Sequence, residues 1–155
     1  MADLDELYQS IILDHNRRPR NYGQPEQANR QASGRNPLCG DEVTVWLTVE
    51  NDVIADVKFV GHGCAISKAS SSLMTDAVRG KTRDEALVMF DRVHDLLTGK
   101  SDPLAERKSL GQIAALGGVS RFPIRVKCAS LGWHAFRNAL LGEATVTTTE
   151  TGDSQ

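Results

Sequence analysis

A thiol and a carboxylate stand one residue apart in Asn36-Pro37-Leu38-Cys39-Gly40-Asp41. Gly34, Pro37 and Gly40 disfavour regular helix or strand through this stretch. A Cys-x-Asp pair on the lip of a strand can aim two ligand atoms at one point. Two more cysteines follow, Cys64 in Gly61-His62-Gly63-Cys64 and Cys128 in Arg125-Val126-Lys127-Cys128. Zinc takes four ligands in a tetrahedron, and three thiolates with one carboxylate complete that shell. The expectation is that Cys39, Asp41, Cys64 and Cys128 converge on one ion. A carboxylate is a harder, weaker partner for zinc than a thiolate, which suits a site that must open. No Cys-x-x-Cys pair is present, so the spacing is not that of a zinc finger or ribbon. Three separately buried structural cysteines are the alternative.

Neighbouring groups could assist. His62, between two glycines, could reach the metal or a substrate, or stay a solvent-facing loop residue. Arg125 and Lys127 flank Cys128, and nearby positive charge favours a thiolate; the plainer reading is surface charge. His134 is six residues past Cys128 on the far side of a helix and is not expected on the same ion. His15 and His94 read as helix-end and helix-surface residues.

The elements that must position these groups follow from periodicity. Leu4, Leu7, Tyr8, Ile11 and Ile12 make one face of a helix that Pro19 ends. The basic cluster Arg17, Arg18, Arg20 is either a docking surface or a solvated helix end. Residues 21–35 are polar and aperiodic and read as a loop. Val43, Val45, Leu47 and Val49 alternate with polar residues, Asn51-Asp52 turns the chain, and Val53, Ala55, Val57 and Phe59 alternate again, predicting a β-hairpin. Its outer ends carry Asp41 and Cys64, and strand pairing holds such ends about 5 Å apart at the Cα atoms. Cys64 then opens a helix, where the dipole favours an anion, with Ile66, Ala69, Leu73, Met74 and Ala77 inward. Thr82-Arg83-Asp84-Glu85 is a capping box for the next helix. Asp102-Pro103 signals a short helix, Leu110 to Leu116 another turn or two, and Pro123 precedes a last helix burying Leu131, Ala135, Phe136 and Ala139.

Residues 1–142 read as one domain with its own core, and the polar, Thr-rich 143–155 as a disordered tail. No apolar run approaches the roughly 20 residues of a membrane span. The acidic start Met1-Ala2-Asp3-Leu4-Asp5 is unlike a signal peptide, so the expected location is cytoplasmic. A formal charge of −2 argues against a nucleic-acid partner held by phosphate neutralisation. Three cysteines, an odd number, favour metal or thiol chemistry over a disulfide framework in a reducing compartment.

Taken together, Tyr8 to His15 with Pro19-Arg20-Asn21-Tyr22-Gly23, Asn36-Pro37-Leu38-Cys39-Gly40-Asp41, Gly61-His62-Gly63-Cys64-Ala65-Ile66-Ser67 and Arg125-Val126-Lys127-Cys128 resemble the IscU/SufU/NifU-N family of iron–sulfur assembly proteins. The resemblance runs from Leu4 to about Leu141. It implies an α+β fold, a small antiparallel β-sheet with helices packed against it. In the cluster-scaffold branch, a His precedes the last Cys and a Leu-Pro-Pro-Val-Lys chaperone motif lies just upstream. Here Lys127 replaces that His, Arg121-Phe122-Pro123-Ile124-Arg125 lacks the motif, and an extra helical stretch occupies residues 99–118. These departures look like the SufU branch, zinc proteins that accept sulfur from a SufS-type, pyridoxal-phosphate-dependent cysteine desulfurase and hand it on to a downstream cluster-assembly scaffold. The resemblance thus implies a zinc-dependent sulfurtransferase with Cys39 as persulfide acceptor. A scaffold assembling a [2Fe–2S] cluster on the same ligands is the alternative, since soft thiolates suit zinc and iron–sulfur centres alike. A structural zinc module is a third reading, disfavoured by Asp41 and the mildly acidic charge.

Overall fold

The structure is a computed structural model, and it describes residues 2–37, 40–101, 108, 110–142 and 146–148. Cys39, the Asp102-Pro103 signal, and residues 143–145 and 149–155 lie outside the described residues, as do the side chains of Leu4, Leu7 and Tyr8. The elements are α1 (Ala2–Arg17), β1 (Arg30–Asn36), β2 (Asp41–Glu50), β3 (Val53–His62), α2 (Ala65–Val78), α3 (Arg83–Leu97), a 3-10 helix (Gly111–Arg121), α4 (Pro123–Leu140) and β4 (Val146–Thr148). The sheet runs β3-β2-β1-β4. Its first three strands are antiparallel, and β4 lies parallel to β1. Helices cover one face, giving the α+β architecture.

The β2–β3 hairpin turns through Asn51 and Asp52, both at positive φ (53° and 68°). Two consecutive left-handed residues match the right-handed twist of the flanking strands, and Asn and Asp tolerate that conformation best after glycine. An irregularity between Thr48 and Val49 pairs Thr48 with Asp56 but Val49 with Ile54. Ala55 is the extra residue, so beyond it the faces exchange. Ile54 is therefore buried and Ala55 exposed, the reverse of the simple alternation.

β1 corrects the loop expected over 21–35. Its inward residues are Ala32, Gly34 and Asn36, too small and too polar to register as an apolar alternation. They are small because α4 crosses directly over them. β4 occupies part of the expected tail: Val146 pairs with Ser33 and Thr148 with Arg35, β-branched residues against an otherwise open strand edge.

Leu110, Ile113, Leu116 and Val119 recur every three residues and are all buried. Period three is the 3-10 repeat, in which i and i+3 eclipse, so this apolar stripe selects the tighter helix. The capping box is present in full: Thr82 Oγ1 accepts from Glu85 N–H and Glu85 Oε1 from Thr82 N–H. The basic residues closing α1 fold back onto Asp14. Arg20 Nη2 donates to it at 2.6 Å and Arg18 Nη2 at 2.9 Å, and these bonds hold the Asp14 carboxyl below its ordinary pKa.

α2 and α4 approach closely. Ser70 Oγ donates to the Ala129 carbonyl at 2.6 Å, and a Cβ on Gly132 would overlap Ser71 Oγ. The serines of α2 are thus packing residues. His15 is buried too, although it reads as a helix-end residue in the sequence. Its Nε2 meets Gln112 Oε1 at 3.1 Å and its Nδ1 meets Ser72 Oγ at 2.7 Å. An amide oxygen only accepts, so Nε2 donates to Gln112.

Candidate metal centre

Three elements deliver ligand atoms to one end of the sheet. Asp41 opens β2 and is fully buried. Glu42 pairs with His62 across the hairpin, which brings Gly63 and Cys64 beside Asp41. Cys64 is the N-cap of α2, and its Sγ accepts from Ser67 N–H at 3.4 Å. Cys128 sits in the second turn of α4, 2% exposed. One ligand atom from each of Asp41, Cys64 and Cys128 lies within 4.8 Å of the other two.

The carboxylate is held in orientation. Asp41 Oδ1 accepts from Cys64 N–H at 2.8 Å, leaving Oδ2 toward Cys64 Sγ at 3.6 Å. Gly63 makes this possible: its φ is +141°, and a Cβ there would collide with the Asp41 carboxylate. A tetrahedral ion with typical Zn–S and Zn–O bonds sets a sulfur and an oxygen ligand about 3.6 Å apart. The Asp41–Cys64 spacing therefore fits zinc, and two thiols with a fixed carboxylate oxygen form a suitable partial donor set. Asn36, on the neighbouring end of β1, points its Nδ2 at Cys128 Sγ from 4.0 Å. Neither Asn36 nor Gly63 stands out as a site residue from sequence reasoning. The only signal for either is its place inside a Cys-bearing motif.

The auxiliary residues divide. His62 is not in the group. Strand alternation turns it, with Glu42, to the face opposite Asp41, where its Nε2 meets Glu42 Oε1 at 3.2 Å. Arg125 lies over the Phe122 ring at 5.2 Å and lines a groove of about 690 Å³ that contains Cys64 and Cys128. Lys127 is not among that groove's lining residues. The groove walls include Leu13, Phe122 and Ile124, all exposed apolar side chains. His134 belongs to a different cluster, packed edge-on against Phe90. Burial, then the nearby His94, pushes its pKa down to about 4.

Residues 7–129 match the model of the NifU-like N terminal domain. The chain belongs to this family. Across 142 residues the NifU-like domain is 41% identical to the zinc-dependent sulfurtransferase SufU of Bacillus subtilis, covering 92% of this chain and 95% of the relative. It is 39% identical over 140 residues to the iron–sulfur cluster assembly scaffold protein IscU of Streptococcus pyogenes, covering 90% and 86%. Among solved structures, a Fervidobacterium islandicum protein described as an iron–sulfur cluster assembly scaffold for the SUF system superposes with TM-score 0.77 at 39% identity, covering 84% of this chain and 93% of that one. A NifU-like N-terminal protein from Brucella abortus gives TM-score 0.79 at 25% identity, covering 90% and 96%. The NifU-like domain is thus an iron–sulfur cluster assembly protein of the IscU/SufU family. Among the described residues, no helix is long and apolar enough to cross a membrane.

Proposed function

We propose that this protein is a zinc-dependent sulfur acceptor, which takes persulfide sulfur from a SufS-type, pyridoxal-phosphate-dependent cysteine desulfurase and passes it to a downstream cluster-assembly scaffold in the cytoplasm. The convergence of Asp41, Cys64 and Cys128 is the observation that carries this reading. In it, Asp41, Cys64 and Cys128 hold zinc and Cys39 supplies the fourth ligand. Bound zinc keeps its thiol ligands deprotonated at neutral pH. Cys39 is the acceptor, because it falls between Pro37 and Gly40 in the sequence, residues that disfavour regular helix or strand, and a thiol outside regular structure can move with little repacking. The Cys39 thiolate attacks the outer sulfur of the donor's Cys–S–SH. A new S–S bond forms on Cys39, the donor's S–S bond breaks, and the electron pair leaves on the donor thiolate. Cys64, the N-cap of α2, and Cys128, within α4, stay in place. Arg125 borders the approach and favours an anionic persulfide.

A second reading, a scaffold for a [2Fe–2S] cluster, draws support from the scaffold name of the Streptococcus pyogenes relative. Lys127, where the scaffold branch carries His, favours the first. Elemental analysis and a visible spectrum of freshly purified protein separate the two. The expected result is one zinc per chain and no absorption beyond the protein band. A brown, iron-containing protein would overturn the sulfur-acceptor reading.

A further inference from the structure

We propose that Asn36 is a positioning residue that fixes Cys128 as a retained, unreactive ligand and so keeps sulfur acceptance away from it. The inference rests on the zinc-bearing sulfur-acceptor reading above. β1 buries Ala32, Gly34 and Asn36 beneath α4. The first two are small, as a close helix requires. The third is a polar amide with no exposed surface, at the register position opposite Asp41. A buried amide is costly unless hydrogen-bonded. The Asn36 backbone carbonyl accepts from Gly40 N–H at 2.8 Å, which fixes the main chain as it leaves β1. Its Nδ2 faces Cys128 Sγ at 4.0 Å.

An amide NH2 only donates, so this contact favours sulfur that bears negative charge, as a metal ligand does. A donor one shell out orients the ligand and draws charge from it, and sulfur loses nucleophilicity as it loses basicity. Cys64 is treated alike by Ser67 N–H, but that donor is backbone. Asn36 is the donor carried on a side chain, so the effect can be removed by substitution.

The test uses the full chain loaded with NMR-active cadmium in place of zinc. A scalar coupling between the bound ion and the Asn36 side-chain protons, carried through N–H···S, is expected. Asn36→Leu keeps most of the volume and has no donor. It should lose the coupling, release zinc to a chelator about tenfold faster, and shift alkylation by limiting iodoacetamide toward Cys128. Cadmium held by Cys128 without coupling to Asn36, or a folded Asn36→Leu with unchanged zinc release and alkylation pattern, would overturn the role of Asn36 alone. Metal bound without Cys64 and Cys128 would overturn the zinc-site reading and this inference with it. If Asn36→Leu does not fold, the wild-type coupling decides.

Discussion

α2 and α4 meet in two places, and the two meetings are built differently. One is the buried seam where Ser70 donates to the Ala129 carbonyl and Ser71 sits against Gly132. The other is the thiol end, where Cys64 and Cys128 face the Asp41 carboxylate. The seam is closed by shape, with Ser70 hydrogen-bonded across it. The thiol end brings three potential anions into a buried corner, with Cys64 N–H on one carboxylate oxygen as fixed compensation. A cation completes such a corner. Packing sets the distance between the two helices and shapes a corner that suits a cation. Metal removal should therefore loosen the protein without erasing its fold, and disturbing the seam should damage the metal site from a distance.

On the proposed zinc reading, removing the metal should disturb the thiol end alone. Chelation of the zinc-loaded protein is expected to lower the melting temperature by roughly 10 °C, given several kcal/mol of binding free energy that becomes folding free energy. An unchanged melting curve in metal-free protein would refute any contribution of the ion to stability. Breaking the seam is the complementary experiment. Gly132→Val forces a branched side chain onto Ser71 and should cost about 3 kcal/mol. It should also weaken zinc retention although it touches no ligand. Full zinc affinity in a destabilised Gly132→Val would show that the two ends are independent.

A smaller effect is expected from Asp41→Ala. It leaves the three cysteines and opens one position in the ligand shell, so zinc retention should fall by about tenfold or more, the range seen for groups one shell further out. Wild-type zinc content together with wild-type sulfur transfer would rule out a ligand role.

The smallest effect at neutral pH marks the packed part of α4 by its own pH signature. His134 has a pKa of about 4 in the folded protein, against 6.5 in its ordinary state. The unfolded chain therefore binds the proton first. Stability is intact above pH 6.5, falls by about 1 kcal/mol per pH unit as pH drops toward 4, and levels off below. His134→Phe should flatten that window in a denaturation series and change nothing at neutral pH. An identical acid profile in the two proteins would assign the loss to other groups.

Much of the molecule is legible in the sequence. The β2–β3 hairpin announces itself by alternation and by Asn51-Asp52, and strand pairing alone then brings Asp41 beside Cys64. Thr82 and Glu85 mark the start of α3 by chemistry that acts locally. Cys128 is different: no periodicity links it to the hairpin, and it joins the group only through the count of zinc donors and the family pattern. β1 leaves no apolar alternation because Ala32, Gly34 and Asn36 answer to a helix that crosses them from far along the chain. His15 reads as a helix end for the same reason, since its partners Ser72 and Gln112 are remote in sequence. The burial of Ile54 depends on one irregular pairing at Thr48–Val49, which alternation alone does not reveal.

Sulfur transfer to a defined thiol is the claim on which the functional reading stands. The most direct measurement incubates the zinc-loaded protein with the desulfurase and cysteine, then maps persulfide by mass spectrometry. Persulfide is expected on Cys39, with Cys39→Ser keeping its fold but losing both the persulfide and the stimulation of the desulfurase. Persulfide found mainly on Cys64 or Cys128, with Cys39→Ser still active, would contradict it.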